Sequence, residues 1–201
     1  MNKIKGTQFG WKNCWFVFKT DDFNKVRETI SKYLKYSNNV NFAEGVKEGW
    51  DGNWSLFKSI EDNIILLSSS GNILFDKIEI LSEIFNEVHF YSSHSSSNYL
   101  KFSMAKNGQI TRNFSVSDDE IIENVGDATK IEIETASLHK QEQLNMYKDN
   151  PEMTSYINKR ELLSFLGEFE DIIKISEVFS VNTYTLDKKE VENYADIFKE
   201  Q

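Results

Sequence analysis

Hydrophobic and polar positions alternate along this chain in two different rhythms. Around Cys14-Trp15-Phe16-Val17-Phe18 the apolar residues are continuous, so residues 13–19 are predicted to form a strand. Thr20-Asp21-Asp22 then supplies helix-capping oxygens and early negative charge. Phe23, Val26, Ile30, Tyr33 and Leu34 follow at helical spacing, which predicts an amphipathic helix over 21–36, ended by Asn38-Asn39. Gly45, Gly49 and Gly52 make 40–53 read as a loop. Two strands with a turn at Glu61-Asp62-Asn63 are predicted over 54–60 and 64–68.

Asp76 is placed to cap a second helix whose buried stripe is Ile78, Leu81, Ile84 and Phe85. Strands are expected at 87–93, 99–105 and 109–116, the last two joined by Asn107-Gly108, a pair that tolerates the positive φ angles of a tight hairpin. Ser117-Asp118-Asp119-Glu120 fits a capping box that starts a helical turn. Ile131 and Ile133 alternate with Glu132 and Glu134, which predicts a strand over 129–135. Helices then dominate: 137–147, a break at Pro151, two helices around Gly167, and a last helix opened by Asp187-Lys188-Lys189-Glu190 with Val191, Tyr194, Ala195 and Phe198 inward. Strands in the middle and helices toward the end predict one α+β domain over 1–201. Its expected plan is an antiparallel sheet with helices packed on one face and a helical C-terminal region.

Composition narrows the class. The 201 residues include 39% hydrophobic and 13% aromatic side chains, enough for a sizeable core and unlike a disordered chain. A single cysteine, Cys14, excludes an intrachain disulfide, and its apolar surroundings predict a buried, unreactive thiol. No apolar segment approaches the roughly 20 residues of a membrane span, and no signal-peptide core follows the first residues. A soluble cytoplasmic protein is therefore expected.

Charge changes the picture most. The net charge is −9, but residues 1–117 carry 14 basic and 12 acidic side chains, whereas 118–201 carry 9 and 20. An acidic surplus disfavours nucleic acid and anionic membranes, since phosphate neutralisation needs clustered Lys and Arg. It favours steering of a basic protein partner.

Candidate chemistry is sparse. Phosphate-binding, dinucleotide, serine-elbow and zinc motifs are absent. His89 and His94 bracket one strand and, five residues apart, point to opposite faces; they and His139 read as structural or surface histidines. Ser92-Ser93-His94 reads as a polar loop, because a Ser–His nucleophile needs a third group to hold the base. Arg112 is expected in a cross-strand salt bridge. No catalytic residue, metal or cofactor is expected. The candidate partner-binding residues are Asp118, Asp119, Glu120, Glu123, Glu132 and Glu134, with Trp50 and Trp54 as aromatic anchors. The two tryptophans also suggest an alternative, a groove for a small ligand or carbohydrate, with Trp50 the more exposed.

The segments Ile80-Leu81-Ser82-Glu83-Ile84-Phe85-Asn86-Glu87-Val88-His89-Phe90, Gly108-Gln109-Ile110-Thr111-Arg112, Gly126-Asp127-Ala128-Thr129 and Ile172-Ile173-Lys174-Ile175-Ser176-Glu177-Val178-Phe179-Ser180-Val181-Asn182 resemble, in order, the motifs of a family of uncharacterised bacterial proteins. The resemblance spans about residues 50–190. Asn86 stands where that pattern has glycine, Phe179 where it has tryptophan, and Asn182-Thr183 where it has Asp-Pro. It implies an α+β fold and transfers no catalytic residue. Among acidic single-domain proteins of this size, immunity and antitoxin-like partners of basic proteins fit the charge distribution.

Overall fold

The computed structural model describes residues 4–5, 12–60, 63–70, 74–94, 99–181, 190–191 and 194–200. Strand β1 (Ile4–Lys5) is followed by β2 (Lys12–Phe18), helix α1 (Phe23–Ile30), β3 (Leu34–Asn41), α2 (Phe42–Trp50), β4 (Trp54–Ile60) and β5 (Asn63–Ser68). A 3-10 turn (Phe75–Lys77) leads into α3 (Ile78–Phe85), then β6 (Glu87–His94), β7 (Tyr99–Lys106), β8 (Gln109–Ser117) and β9 (Glu120–Val125). The chain continues through α4 (Lys130–Met146), α5 (Pro151–Lys159), a second 3-10 turn (Leu162–Phe165), α6 (Phe169–Phe179), β10 (Glu190–Val191) and β11 (Tyr194–Glu200).

Nine strands form one antiparallel sheet in the order β3-β11-β4-β5-β2-β6-β7-β8-β9, and β1 pairs with β10 separately. This is the expected α+β class, with a helical stretch late in the chain. Helices lie against both faces of the sheet. Cys14, Phe16 and Phe18 of β2 join Val26 and Ile30 of α1 and Ile78, Leu81 and Phe85 of α3 in one buried cluster. Trp15 and Val17 face the other way, into a cluster with Phe42 and Val46 of α2, Ala136 of α4, Ile157 of α5 and Ile172 of α6. A strand covered on both faces has no polar side, which is why residues 14–18 read as an unbroken apolar run.

Several local expectations are corrected, and each correction has a tertiary cause. The helix predicted over 21–36 stops at Ile30, and Asn38 and Asn39, taken as its end, lie inside β3 opposite Ile197 and Asp196 of β11. Asn39 donates to Asp196 at 2.9 Å, and Arg27 of α1 reaches the same carboxylate at 2.8 Å. A polar sequence thus becomes an edge strand because its partner arrives from the far end of the chain. Residues 194–200 are accordingly strand, not helix; Asp187 to Lys189 of the expected capping box fall outside the described residues.

The loop expected over 40–53 contains α2, capped by Asn41, whose side chain accepts from the Glu44 amide at 3.1 Å. Gly45 is there for close packing: a Cβ at this position would collide with the Ala195 Cβ and lie 3.2 Å from the Phe57 ring. Residue Asp76 sits within the first 3-10 turn, and α3 begins after Lys77 without a side-chain cap. Pro151 both breaks the chain and opens α5, whose cap is Asn150.

The segment 129–135, predicted as strand, is the start of α4. Thr129 caps it, and the Glu132 carboxylate returns to the Thr129 amide at 2.9 Å. The capping box expected at Ser117–Glu120 is instead a hairpin turn. Asp118 and Asp119 adopt φ of 48° and 70°, the pair of positive angles that matches strand twist.

Candidate partner-binding site

The expected acidic patch is divided by the fold. Asp118, Asp119 and Glu120 are exposed together at the β8–β9 turn. Glu123, further along β9, is engaged by Lys101 at 2.6 Å and by the Ser115 hydroxyl at 3.1 Å. The Lys101 hydrogen bond, joined by its charge and by Ser115, holds the Glu123 carboxyl below the usual range. Glu134 is exposed on α4 beside Lys130, 3.6 Å away.

Glu132 is removed from any surface. Its carboxylate is fully buried and accepts from Arg112 Nη2 at 2.5 Å and from Arg112 Nε at 3.1 and 3.2 Å. Arg112 also donates to Asn124 Oδ1 and to the carbonyls of Val125 and Gly126. The expected cross-strand bridge is therefore a strand-to-helix bridge that docks α4 on the sheet.

The two tryptophans do not share a groove. Trp50 is 44% exposed at the end of α2, whereas Trp54 is fully buried, its ring 6.3 Å from that of Phe16. Cys14 is buried as expected, donating to the Ser68 carbonyl, and burial pushes its thiol up to about 12. Among the described residues, no cluster of His, Cys, Asp or Glu is arranged to hold a metal, and no helix is long and apolar enough to cross a membrane.

What the fold does assemble is a cleft of about 380 Å³ between α4, α5 and the second 3-10 turn, reached by the β8–β9 hairpin. Asp119 enters it from the hairpin; His139, Glu142, Gln143 and Met146 come from α4, and Met153, Tyr156 and Arg160 from α5 and its end. Arg160 donates to the Ser164 carbonyl at 2.6 Å, lies over the Phe165 ring at 4.1 Å, and reaches Asp119 at 3.1 Å. At the back, the buried Asp171 accepts from His139 Nε2 at 2.7 Å and from the amides of Gly167 and Glu168. Glu142 faces the other ring nitrogen at 3.4 Å. Burial disfavours the charged imidazole, but the bond to Asp171 and its charge, the bond to Glu142 and the charge of Glu168 outweigh it and raise the His139 pKa.

Of the predicted residues, only Asp119 lines this cleft. His139, Glu142, Arg160 and Glu168 were not foreseen as site residues. The spacing of His139 and Glu142 places them on one helical face, which is a sequence signal; Asp171 joins them only through tertiary packing. Large apolar side chains stay exposed at the rim, notably Met146 at 73%, with Tyr147 and Tyr156 beside it.

A second polar row runs along β6. Glu87, His89 and Tyr91 point to one face of the strand, and Ser180 closes the row. His89 Nε2 meets Glu87 at 2.8 Å, the Tyr91 hydroxyl meets His89 Nδ1 at 3.2 Å, and Ser180 donates to Tyr91 at 3.3 Å. Burial, reinforced by the charges of Lys19 and Lys106 against the opposing Glu87, pushes His89 down to about 4. The neutral ring then donates to Glu87 and accepts from Tyr91. This is the structural histidine the sequence suggested, locked between two neighbours.

Comparison of the chain with family models, with curated proteins and with solved structures returned no match in any of the three.

Proposed function

We propose that this is a protein-binding protein that recognises a basic partner, in the manner of immunity or antitoxin-like proteins, and that it acts without catalysis. The observation that carries this reading is the segregation of charge. Residues 118–181 hold 15 acidic and six basic side chains, while the rest of the chain balances at 17 of each. All the excess negative charge thus belongs to the segment that forms the β8–β9 hairpin and the helices beyond it. Exposed carboxylates beside exposed Met146, Tyr147 and Tyr156 combine long-range steering with apolar anchors, the pairing that protein interfaces use.

Asp118, Glu120, Glu142 and Glu168 are the carboxylates this reading selects, because Glu132 is buried, Glu123 is held by Lys101 and Asp119 by Arg160. The test begins with affinity capture from the source cell at low and high salt. The captured protein is then purified, and its association rate measured against the wild type and a variant with these four carboxylates reversed to lysine. A basic partner whose association slows with salt and slows again in the variant supports the reading. An unchanged rate in the variant, or capture of no basic protein at either salt, rejects it.

A further inference from the structure

We infer that the cleft between α4 and α5 is a seat for one guanidinium or ammonium side chain of that basic partner. This deepens the proposed function and rests on it.

The first argument is charge. Four carboxylates border or underlie the cleft: Asp119, Glu142, Glu168 and the buried Asp171. Against them stand Arg160, His139 and Lys140, whose ammonium lies 5.7 Å over the Phe165 ring. Even with all three carrying a full positive charge, one negative charge is left over. A partly enclosed cleft with surplus negative charge and open access favours a cation.

The second argument is that the cleft already holds one guanidinium by the same means. Arg160 lies 4.1 Å from the centre of the Phe165 ring and 3.1 Å from an Asp119 oxygen, so a ring face and a carboxylate together fix a planar cation. Across the cleft, carboxylates again share a wall with aromatic and thioether side chains. Glu168 forms no salt bridge among the described residues, and Glu142 meets only His139; the tyrosines Tyr147 and Tyr156 and the methionines Met146 and Met153 provide ring and thioether surface. An arginine or lysine has a long apolar stem and a charged end, and this wall suits both parts. Its volume, about 380 Å³, accommodates one side chain and not a folded segment.

His139 makes a built-in reporter, because its ring touches both Asp171 and Glu142. The experiment follows the His139 ring resonances by NMR in the full-length protein. The probe is Nα-acetyl-arginine N-methylamide, and the matching lysine and citrulline compounds are titrated in parallel. Citrulline keeps the shape of arginine and removes its charge. Saturable shifts with arginine or lysine, none with citrulline, and about tenfold weaker binding in Glu142→Gln/Glu168→Gln support the seat. Both substituted residues are exposed, and because Glu168 also caps α6 the single variant Glu142→Gln and the thermal midpoint of each variant are measured beside it. No shift at His139 with either cation, or an equal shift with citrulline, overturns the inference. If the cleft ignores the probes while charge reversal still slows the captured partner, the seat fails and the partner reading stands. If the probes bind but partner association is insensitive to reversal, the partner reading fails instead, and the seat takes a free cation.

Discussion

Arg112 on β8 and Glu132 on α4 bury opposite charges against each other, at 2% and 0% exposure, and their bond ties the last helical part of the chain to the sheet. Breaking such a pair leaves one uncompensated buried charge, at a cost of about 3–5 kcal/mol. Glu132→Ala is therefore expected to lower the urea midpoint strongly. Replacing both partners, as in Arg112→Met/Glu132→Leu, is expected to recover part of that loss, though the bonds from the Glu132 carboxylate back to Thr129 are gone. A double variant no more stable than Glu132→Ala would show that the ion pair is not what holds α4.

Gly45 predicts a second stability effect of opposite chemistry. Adding one methyl brings it against Ala195 of β11 and the Phe57 ring, so Gly45→Ala is expected to destabilise by about 1–3 kcal/mol despite alanine's better helix propensity. The compensating change Ala195→Gly should return part of the thermal midpoint. A Gly45→Ala protein as stable as wild type would contradict the packing.

The β8–β9 turn allows charge and shape to be separated. Asp118 and Asp119 both occupy positive φ, which asparagine and glycine adopt more readily. Asp118→Asn is expected to stabilise the fold by about 0.5–1 kcal/mol while removing one carboxylate and leaving the Asp119–Arg160 contact in place. Any slowing of partner association in this variant then reports charge and not a damaged hairpin. The thermal midpoint checks the first part, and the association rate the second.

His89, buried, and His139, half-buried, predict opposed pH effects. His89 has a folded pKa of about 4, below its unfolded value near 6.5, so the unfolded chain binds the proton more tightly. Its neutral form contributes stability that is complete above about pH 6.5 and declines as the pH falls toward 4, by up to about 3 kcal/mol. His139 has a raised folded pKa, so its bonds to Asp171 and Glu142 contribute stability below the unfolded value, lost as the pH rises through the folded one. Urea unfolding across pH 4 to 8 is expected to show His139→Asn losing stability mainly on the acid side of neutrality, with His89→Asn flattening the acid limb. Parallel curves for wild type and His139→Asn would rule out the His139 contribution.

Much of the fold is legible in the residues. The run Cys14–Phe18 announces a strand buried on both faces, Asn107-Gly108 announces a hairpin, and Asp22 announces the start of α1. These signals are local: a short stretch carries both the pattern and its structural consequence. The errors cluster where a distant partner decides. Leu34–Asn41 has too little apolar character to announce a strand, and pairs because β11 lies beside it. Residues 129–135 satisfy both a strand alternation and a capping box, and the Arg112 bond to Glu132 selects the helix. Gly45 and Gly49 look like loop glycines until the sheet beneath them is seen.

The candidate site follows the same division. Linear order suffices for the class of fold, the burial of Cys14, and the concentration of acid after residue 117, because these depend on composition and short-range pattern. Which acids remain free depends on through-space neighbours. Glu132 and Glu134 are two residues apart, yet one is sealed under Arg112 and the other is exposed on the helix. The cleft gathers Asp119, His139, Arg160 and Glu168 from four separate segments, and only folding gives those side chains a common dielectric and contact distances of a few ångströms.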